Sequence, residues 1–518
     1  MHLTTLLLSL ICVIGFIPVS SFSQPVAAGK SKFLGASTAG NIWSNMKGYW
    51  NQVTPGNDGK WGSVEAAHGT FTWTNLDAIY NYAVQNNMLY KHHNLVWGSQ
   101  QPSWIAALDS ATQRAAVQNW IQQVGQRYPK MDFVDVVNEP FHSTPSYVKA
   151  LGGSGATGWD WVVTAFTWAR QYCPVGAKLL LNEYNVLGSI SATNNYVALI
   201  DTLKNRGLID GIGVQGHYFE FRSRVAAVSG IYIYDLGTIK SNLDKLSSTG
   251  LPIYMSEFDI DEPVDSVQLA QYQIYFPIVW NHPGVKGVTL WGYKEDDVWD
   301  QHPQTFLLHI LGAERPAMPW LRTFVQLAAP PLLISPNGTT GERRNARLVF
   351  HRSEDAVSYH LQVALNSSFS PVVLDTFVVD TAISLSPLAS NTRFYWRISS
   401  LNDYGEGGYS ATANFTTGDQ ILSVADPGKI AATFMLHQNY PNPFNPTTRI
   451  GYTVPQAAYV SLKVYNLLGV EVQTLYNGIR HAGIFVATFD GTNLPSGVYV
   501  YRLRSGNFVE TKKLVLVR

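Results

Sequence analysis

Between residues 31 and 327, short apolar runs alternate with stretches whose apolar residues recur every three or four positions. The first pattern predicts buried strands and the second amphipathic helices. Strands are expected at Phe33–Ser37, Gln52–Thr54, Leu89–Trp97, Phe133–Asn138, Leu179–Asn182, Gly211–His217, Pro252–Glu257 and Val288–Trp291. Helices are expected between most of them, as at Ala111–Tyr128 and Gln268–Val279. Strands and helices alternating in this way predict an α/β protein built on a parallel (β/α)8 TIM barrel. An open doubly wound sheet for nucleotides would carry a glycine-rich phosphate loop after its first strand, and none follows Phe33–Ser37.

The pattern changes at Ala328-Ala329-Pro330-Pro331. Fourteen of the fifteen tryptophans lie before it, from Trp43 to Trp320, and only Trp396 lies after. Residues 331–417 offer strands at Arg347–Phe350, Tyr359–Ala364, Arg393–Ser399 and Thr412–Thr416, separated by polar turns, which predicts a β-sandwich. Residues 418–429 read as a linker. Residues 430–518 are β-rich again, at Arg449–Val454, Val460–Tyr465, Ile484–Phe489 and Val498–Arg504, a second small all-β sandwich. At the other end, the apolar run from Leu6 to Val19 is short for a membrane span. It precedes small residues at Ser21 and Ser23, so residues 1–23 read as a secretory signal and 24–327 as the barrel domain. Cleavage there leaves Cys173 as the single cysteine, with no internal disulfide. No later apolar run is long enough to span a membrane.

Charge narrows the partners. Lys+Arg is 36 and Asp+Glu is 36, so neither nucleic acid nor an anionic membrane finds a surplus of positive charge. Charged residues make up 14% of the chain, well under the about 25% of ordinary soluble domains. The surface must therefore lean on neutral polar side chains, and with aromatics at 13% it suits a neutral, hydroxylated partner such as a sugar.

Two carboxyls carry the candidate chemistry. The apolar run Asp135-Val-Val-Asn138 ends in Glu139-Pro140, and Pro252-Ile-Tyr-Met-Ser ends in Glu257-Phe-Asp259. Each Glu closes a predicted strand, the fourth and the seventh. In a (β/α)8 barrel the C-terminal strand ends form the catalytic rim. Glycoside hydrolysis uses such a pair, one carboxyl to protonate the leaving oxygen and one to attack or to activate water.

At this point the barrel region resembles glycoside hydrolase family 10, the (β/α)8 endo-β-1,4-xylanases. The resemblance rests on Asn51-Gln-Val-Thr-Pro-Gly-Asn57-Asp-Gly-Lys60-Trp61, His93-Asn-Leu-Val-Trp97-Gly-Ser-Gln100, Asn138-Glu139-Pro140 and Asn182-Glu-Tyr-Asn185. It continues through Gly213-Val-Gln215-Gly-His217, Ser256-Glu257-Phe-Asp259 and Trp291-Gly-Tyr to Trp299. It implies hydrolysis of xylan with retention of configuration, with Glu139 as acid/base and Glu257 as nucleophile, their carboxyls roughly 5–5.5 Å apart. His217 and Asp259 match the pair beside the nucleophile, and Asn138 matches the residue that holds the 2-hydroxyl. Lys60, His93 and Trp97 match the reacting-sugar subsite; Asn57, Gln100 and Trp291 match the next one on the non-reducing side. Gln215 shares that lining, Trp299 caps the site, and Tyr184 and Asn185 fall on the leaving-group side. The chemistry requires no cofactor and no metal, and a monomer is expected.

Two positions depart from the family pattern. Gly56 stands where a Glu is usual, and Gly98 where many members carry His. Both are expected to free volume near the glycone subsites, room for the hydroxymethyl group of a glucan. A dual xylanase/β-1,4-glucanase therefore stays open. So does a non-catalytic surface glycan-binding protein on a decayed barrel, against which Glu139, Glu257, His217 and Asp259 all weigh.

Residues 331–417 resemble a fibronectin type III-like module, a spacer or a sugar binder. Residues 430–518 resemble the C-terminal sorting domain of type IX secretion cargo, on Asn439-Tyr-Pro-Asn-Pro-Phe-Asn-Pro446, Val464-Tyr-Asn-Leu-Leu-Gly469 and Leu494-Pro-Ser-Gly-Val-Tyr-Val500. That resemblance implies type IX secretion machinery as a partner. It also implies export across both membranes of a Gram-negative-type envelope, to the surface or the medium.

Overall fold

The computed structural model describes residues 24–39, 42–221, 235–420, 434–439, 442–480 and 483–517. The expected signal 1–23 and most of the expected linker 418–429 lie outside the described residues. The chain divides into two compact units, one ending at Gln326 and one beginning at Leu327.

In the first unit eight parallel strands pair in chain order and close on themselves. They are β1 (Phe33–Thr38), β2 (Gln52–Pro55), β3 (Leu89–Val96), β4 (Phe133–Asn138), β5 (Lys178–Glu183), β6 (Gly211–Val214), β7 (Ile253–Phe258) and β8 (Val285–Leu290). Every residue of β1, β2, β4, β6 and β7 is buried, as strands covered by helices on one face and packed into a barrel on the other must be. The expected helices appear at Ser110–Arg127 and Asp265–Trp280. The first starts where the Asp109 carboxylate accepts from the N–H groups of Ala111 and Thr112, an N-cap that satisfies two otherwise unpaired donors.

The barrel interior is layered. One layer is an apolar plug of Phe33, Phe133, Leu180 and Tyr254. Beyond it the strands carry polar side chains that pair with one another. Thr289 donates to Gln52 (2.9 Å), Lys91 pairs with Asp135 (3.1 Å), and Ser256 donates to Asn182 (2.5 Å). Buried polar groups persist only when partnered, so this layer fixes the geometry on which the rim is built.

Two strand ends differ from expectation. β6 stops at Val214, three residues before His217, because Gly216 turns the chain at φ +74°. His217 is therefore carried by a loop. β8 begins at Val285, earlier than the apolar run suggests, because Lys286 interrupts the run with an exposed side chain.

The second unit is all β. Trp396, Phe350, Tyr359, Phe394 and Phe415 fill one core, between a sheet centred on Ser358–Ala364 and Arg393–Asn402 and a three-stranded sheet. A second core lies between two further sheets built on Thr447–Val454 and Ala458–Tyr465. There Asn439 is buried, its side chain donating to Thr448 (2.9 Å) and its main-chain N–H donating to the Tyr501 hydroxyl (2.8 Å). The strands the sequence pattern did not reveal include Val372–Val378, Glu471–Arg480 and Phe508–Leu516, and each of these pairs on one side only within its sheet. Polar residues break each of them, Asp375 and Thr376 in the first, Gln473, Thr474 and Asn477 in the second and Glu510 to Lys513 in the third, so their apolar residues fall in runs too short to mark a strand.

Candidate active site

Glu139 follows directly on β4 and takes φ +53°. That conformation costs a non-glycine residue about 1–3 kcal/mol and survives only where its surroundings impose it. Here the Glu139 N–H donates to the Asn182 carbonyl (2.8 Å), and its carbonyl receives the N–H of Ser143 (2.8 Å). Its carboxyl accepts from the amides of Gln215 (2.9 Å) and Asn138 (3.3 Å). Both are neutral donors.

Glu257, near the end of β7 and 4% exposed, has a different environment. Its carboxylate accepts from Asn182 (2.8 Å), lies 3.3 Å from His217 Nε2 and 3.9 Å from His93 Nδ1. His217 Nδ1 is 2.6 Å from Asp259, whose other oxygen accepts from the Tyr218 N–H (2.7 Å). Burial works against a charged imidazole, but Asp259 and Glu257 overcome it and hold His217 well above its ordinary range. His217 is thus an imidazolium that donates to both carboxylates. Burial alone would push Glu257 up. The charges of His93 and Lys91 and the hydrogen bond and charge of His217 outweigh it and carry Glu257 down to about 2.

The two carboxyls are joined through amides. Asn182 donates one hydrogen to Glu257 and one to the Asn138 side-chain amide oxygen (2.8 Å each), while its own side-chain oxygen accepts from Ser256. Asn138 in turn donates to Glu139. Asn182 was not among the expected site residues. Its signal was its register: it is the last residue but one of β5 and pairs with Asn138 at the end of β4.

On one side of the carboxyls the structure brings together Asn57, Lys60, His93, Trp97, Gln100 and Trp291. Asn57 accepts from Lys60 (2.9 Å) and Gln100 (3.2 Å), and the Lys60 ammonium sits 4.8 Å from the Trp97 ring centroid. Asp135 receives His93 (2.8 Å), whose ring stands edge-on to Trp291 at 5.2 Å. Burial lowers Lys60 to about 8, although both Glu257 and Glu139 act to raise it, so the amine lies within the field of the two carboxyls. On the other side Tyr184 stacks on His142 at 4.0 Å, and Tyr184 and Asn185 line a pocket of about 280 Å³ with Glu183, Ser189 and Asn195. Trp299, 36% exposed, lies 5.6 Å from the His217 ring.

A closed parallel barrel with two unlike carboxyls at its C-terminal rim and polar and aromatic side chains on both sides of them is the design of a glycoside hydrolase. The family model "Glycosyl hydrolase family 10" matches residues 21–323, and the chain belongs to that family. A second model, "Secretion system C-terminal sorting domain", matches residues 438–517. Endo-1,4-beta-xylanase B of Cellvibrio japonicus is 39% identical over 294 residues, covering 56% of this chain and 45% of that protein. The chain thus spans less than half the length of that relative. An endo-1,4-beta-xylanase of Agaricus bisporus is 30% identical over 281 residues, covering 52% of this chain and 78% of that one. The fold of the barrel is that of a GH10 structure from Paenibacillus barcinonensis, with TM-score 0.50 and 24% identity, covering 58% of this chain and 96% of that chain.

The two unusual glycines behave differently. At Gly56, with φ −71°, a Cβ would meet only the Thr38 carbonyl at 3.6 Å, so space is open there as expected. At Gly98 the expectation of freed volume is wrong. A Cβ there would lie 2.3 Å from the Ser143 carbonyl oxygen and 2.7 Å from the Thr144 carbonyl carbon. The main chain after Glu139 fills the place of the missing side chain and receives the Gly98 N–H (2.9 Å). In urea denaturation Gly98→Ala should therefore cost about 1–3 kcal/mol, because backbone must shift. Gly56→Ala should stay within about 0.5 kcal/mol of the parent. Equal effects of the two substitutions would contradict this assignment.

Proposed function

We propose that the protein is an exported endo-1,4-β-xylanase that cleaves internal β-1,4 bonds of xylan by double displacement with retention. The observation that carries this reading is the contrast between the two carboxyls. Glu257 is held ionised against an imidazolium, while Glu139 meets neutral amides. An ionised carboxylate suits the nucleophile, and a carboxyl met by neutral donors suits the acid/base, which supports this division of roles.

In the first step Glu139 gives its proton to the glycosidic oxygen and Glu257 attacks the anomeric carbon, forming a glycosyl-enzyme. In the second, Glu139 takes a proton from water, which displaces Glu257 and keeps the configuration. His217, fixed by Asp259, stabilises the negative charge of Glu257 from the oxygen opposite the one that Asn182 holds. Asn138 lies between the two carboxyls, where a hydrogen bond to the sugar 2-hydroxyl strengthens as the oxocarbenium ion develops. Lys60, His93 and Trp97 hold the reacting sugar, and Asn57, Gln100 and Trp291 the next, with Gln215 between. Tyr184 and Asn185 receive the leaving group. The open space at Gly56 favours a second reading on the same site, β-1,4-glucan cleavage alongside xylan, measured as the ratio of kcat/KM on the two polymers. We further propose that residues 438–517 direct export by the type IX machinery to the surface or medium, so that a chain lacking them should be found in the periplasm of a native host. Its appearance outside intact cells would exclude that route.

Glu139→Gln should lose at least 10³-fold in kcat on xylan. On an aryl β-xylobioside, whose leaving group needs no proton, it should show a burst of phenol followed by stalling, relieved by azide as the retained glycosyl azide. An inverted azide product would reverse the two roles. Because burial lowers Lys60 to about 8, its charge is lost as pH rises through that value. On the same aryl substrate kcat/KM should fall above about pH 8, and in Lys60→Met the profile should be lower and lack that limb. A limb that persists in Lys60→Met belongs to another group.

A further inference from the structure

Glu220 lies in the one-turn helix Tyr218–Phe221 and is 6% exposed. Its carboxyl accepts from three main-chain N–H groups on two loops. One oxygen takes Gly216 (2.8 Å) and His217 (3.0 Å), in the loop after β6. The other takes Asn185 (2.7 Å), in the loop after β5. The two loops also touch through main chain: a Cβ added to Gly188 would lie 2.7 Å from the Glu220 carbonyl. Asn185 is held at φ +60°, a conformation that a non-glycine residue keeps only under constraint.

We infer that Glu220 is a positioning residue that latches the leaving-group loop, Tyr184 to Gly188, onto the loop that carries His217. This rests on the proposed xylanase reading. The His217 loop is already anchored from its other side, where Asp259 takes both the His217 ring and the Tyr218 N–H. Glu220 extends that anchored position to Asn185 and so to Tyr184, whose ring lies in the field of Glu139. Loss of the latch leaves Glu257, His217 and Asp259 in place and frees the surface that receives the leaving sugar. Burial pushes the Glu220 carboxyl up to about 7, even with His217 and the three N–H donors pulling the other way. A buried carboxyl that costly is poor as a stabilising device, and its three bonds fix geometry.

The test compares two substrates in the full-length protein. Xylohexaose needs sugars on the leaving-group side; an aryl β-xylobioside places none there. In Glu220→Gln the remaining oxygen satisfies most donors by keeping the two N–H groups of Gly216 and His217, so the new NH₂ faces the single N–H of Asn185 and the leaving-group loop is released. Its kcat/KM on xylohexaose should fall at least ten-fold, mainly through KM, while the aryl substrate should change less than three-fold. Glu220→Asp, which keeps the charge but is too short to reach both loops, should show the same split and decides the matter if the Gln variant does not fold. Amide hydrogen exchange, independent of activity, should quicken at Asn185 in either variant. A parent protein inactive on both substrates would sink the xylanase reading while the exchange result still judges the latch. Equal loss on both substrates, or unchanged exchange at Asn185, overturns the inference.

Discussion

A buried imidazolium between two carboxylates is the interaction on which the site depends. His217 is charged only because Asp259 and Glu257 flank it, and Glu257 stays ionised in a buried place only because cations and donors surround it. Each ion alone would be neutralised by burial. Together they keep Glu257 anionic, with both its oxygens engaged by Asn182 and His217. The barrel supplies what this needs: strands β4, β5 and β7 end side by side or across the interior, so Asn138, Asn182 and Glu257 meet without any loop having to place them.

The polar layer beneath extends the same logic downward. Lys91 and His93 share Asp135, and both add to the field at Glu257. An apolar filling at these positions would pack as well and cost less to bury, but it would withdraw the charge that keeps Glu257 ionised. The apolar plug of Phe33, Phe133, Leu180 and Tyr254 carries the packing instead. Chemistry and packing are thus assigned to different layers of one barrel.

How far the sequence shows this differs by feature. The strands and the two glutamates were legible because an apolar run that stops at a carboxyl marks a buried strand reaching a rim. Edge strands such as Glu471–Arg480 were not, since alternating polar side chains resemble a loop. Asn182 lay in plain view, yet a polar residue ending a strand does not say which neighbours it will join. Gly98 misled because a missing side chain in sequence cannot distinguish open space from a position taken by another backbone, and here Ser143 and Thr144 occupy it. Glu220 was silent for a related reason: its partners are main-chain N–H groups, which no side-chain pattern records.

Glu257 is proposed as the nucleophile of a retaining reaction. The most direct measurement is covalent trapping with an activated 2-deoxy-2-fluoro-β-xylobioside, which slows both steps but leaves the first faster than the second. Mass spectrometry of the intact protein and of its peptides then locates the adduct. The expected result is one fluoroxylobiosyl group per chain, on Glu257, with activity returning as the adduct turns over. An adduct on any other carboxyl, or turnover to an inverted sugar with no adduct, would contradict it.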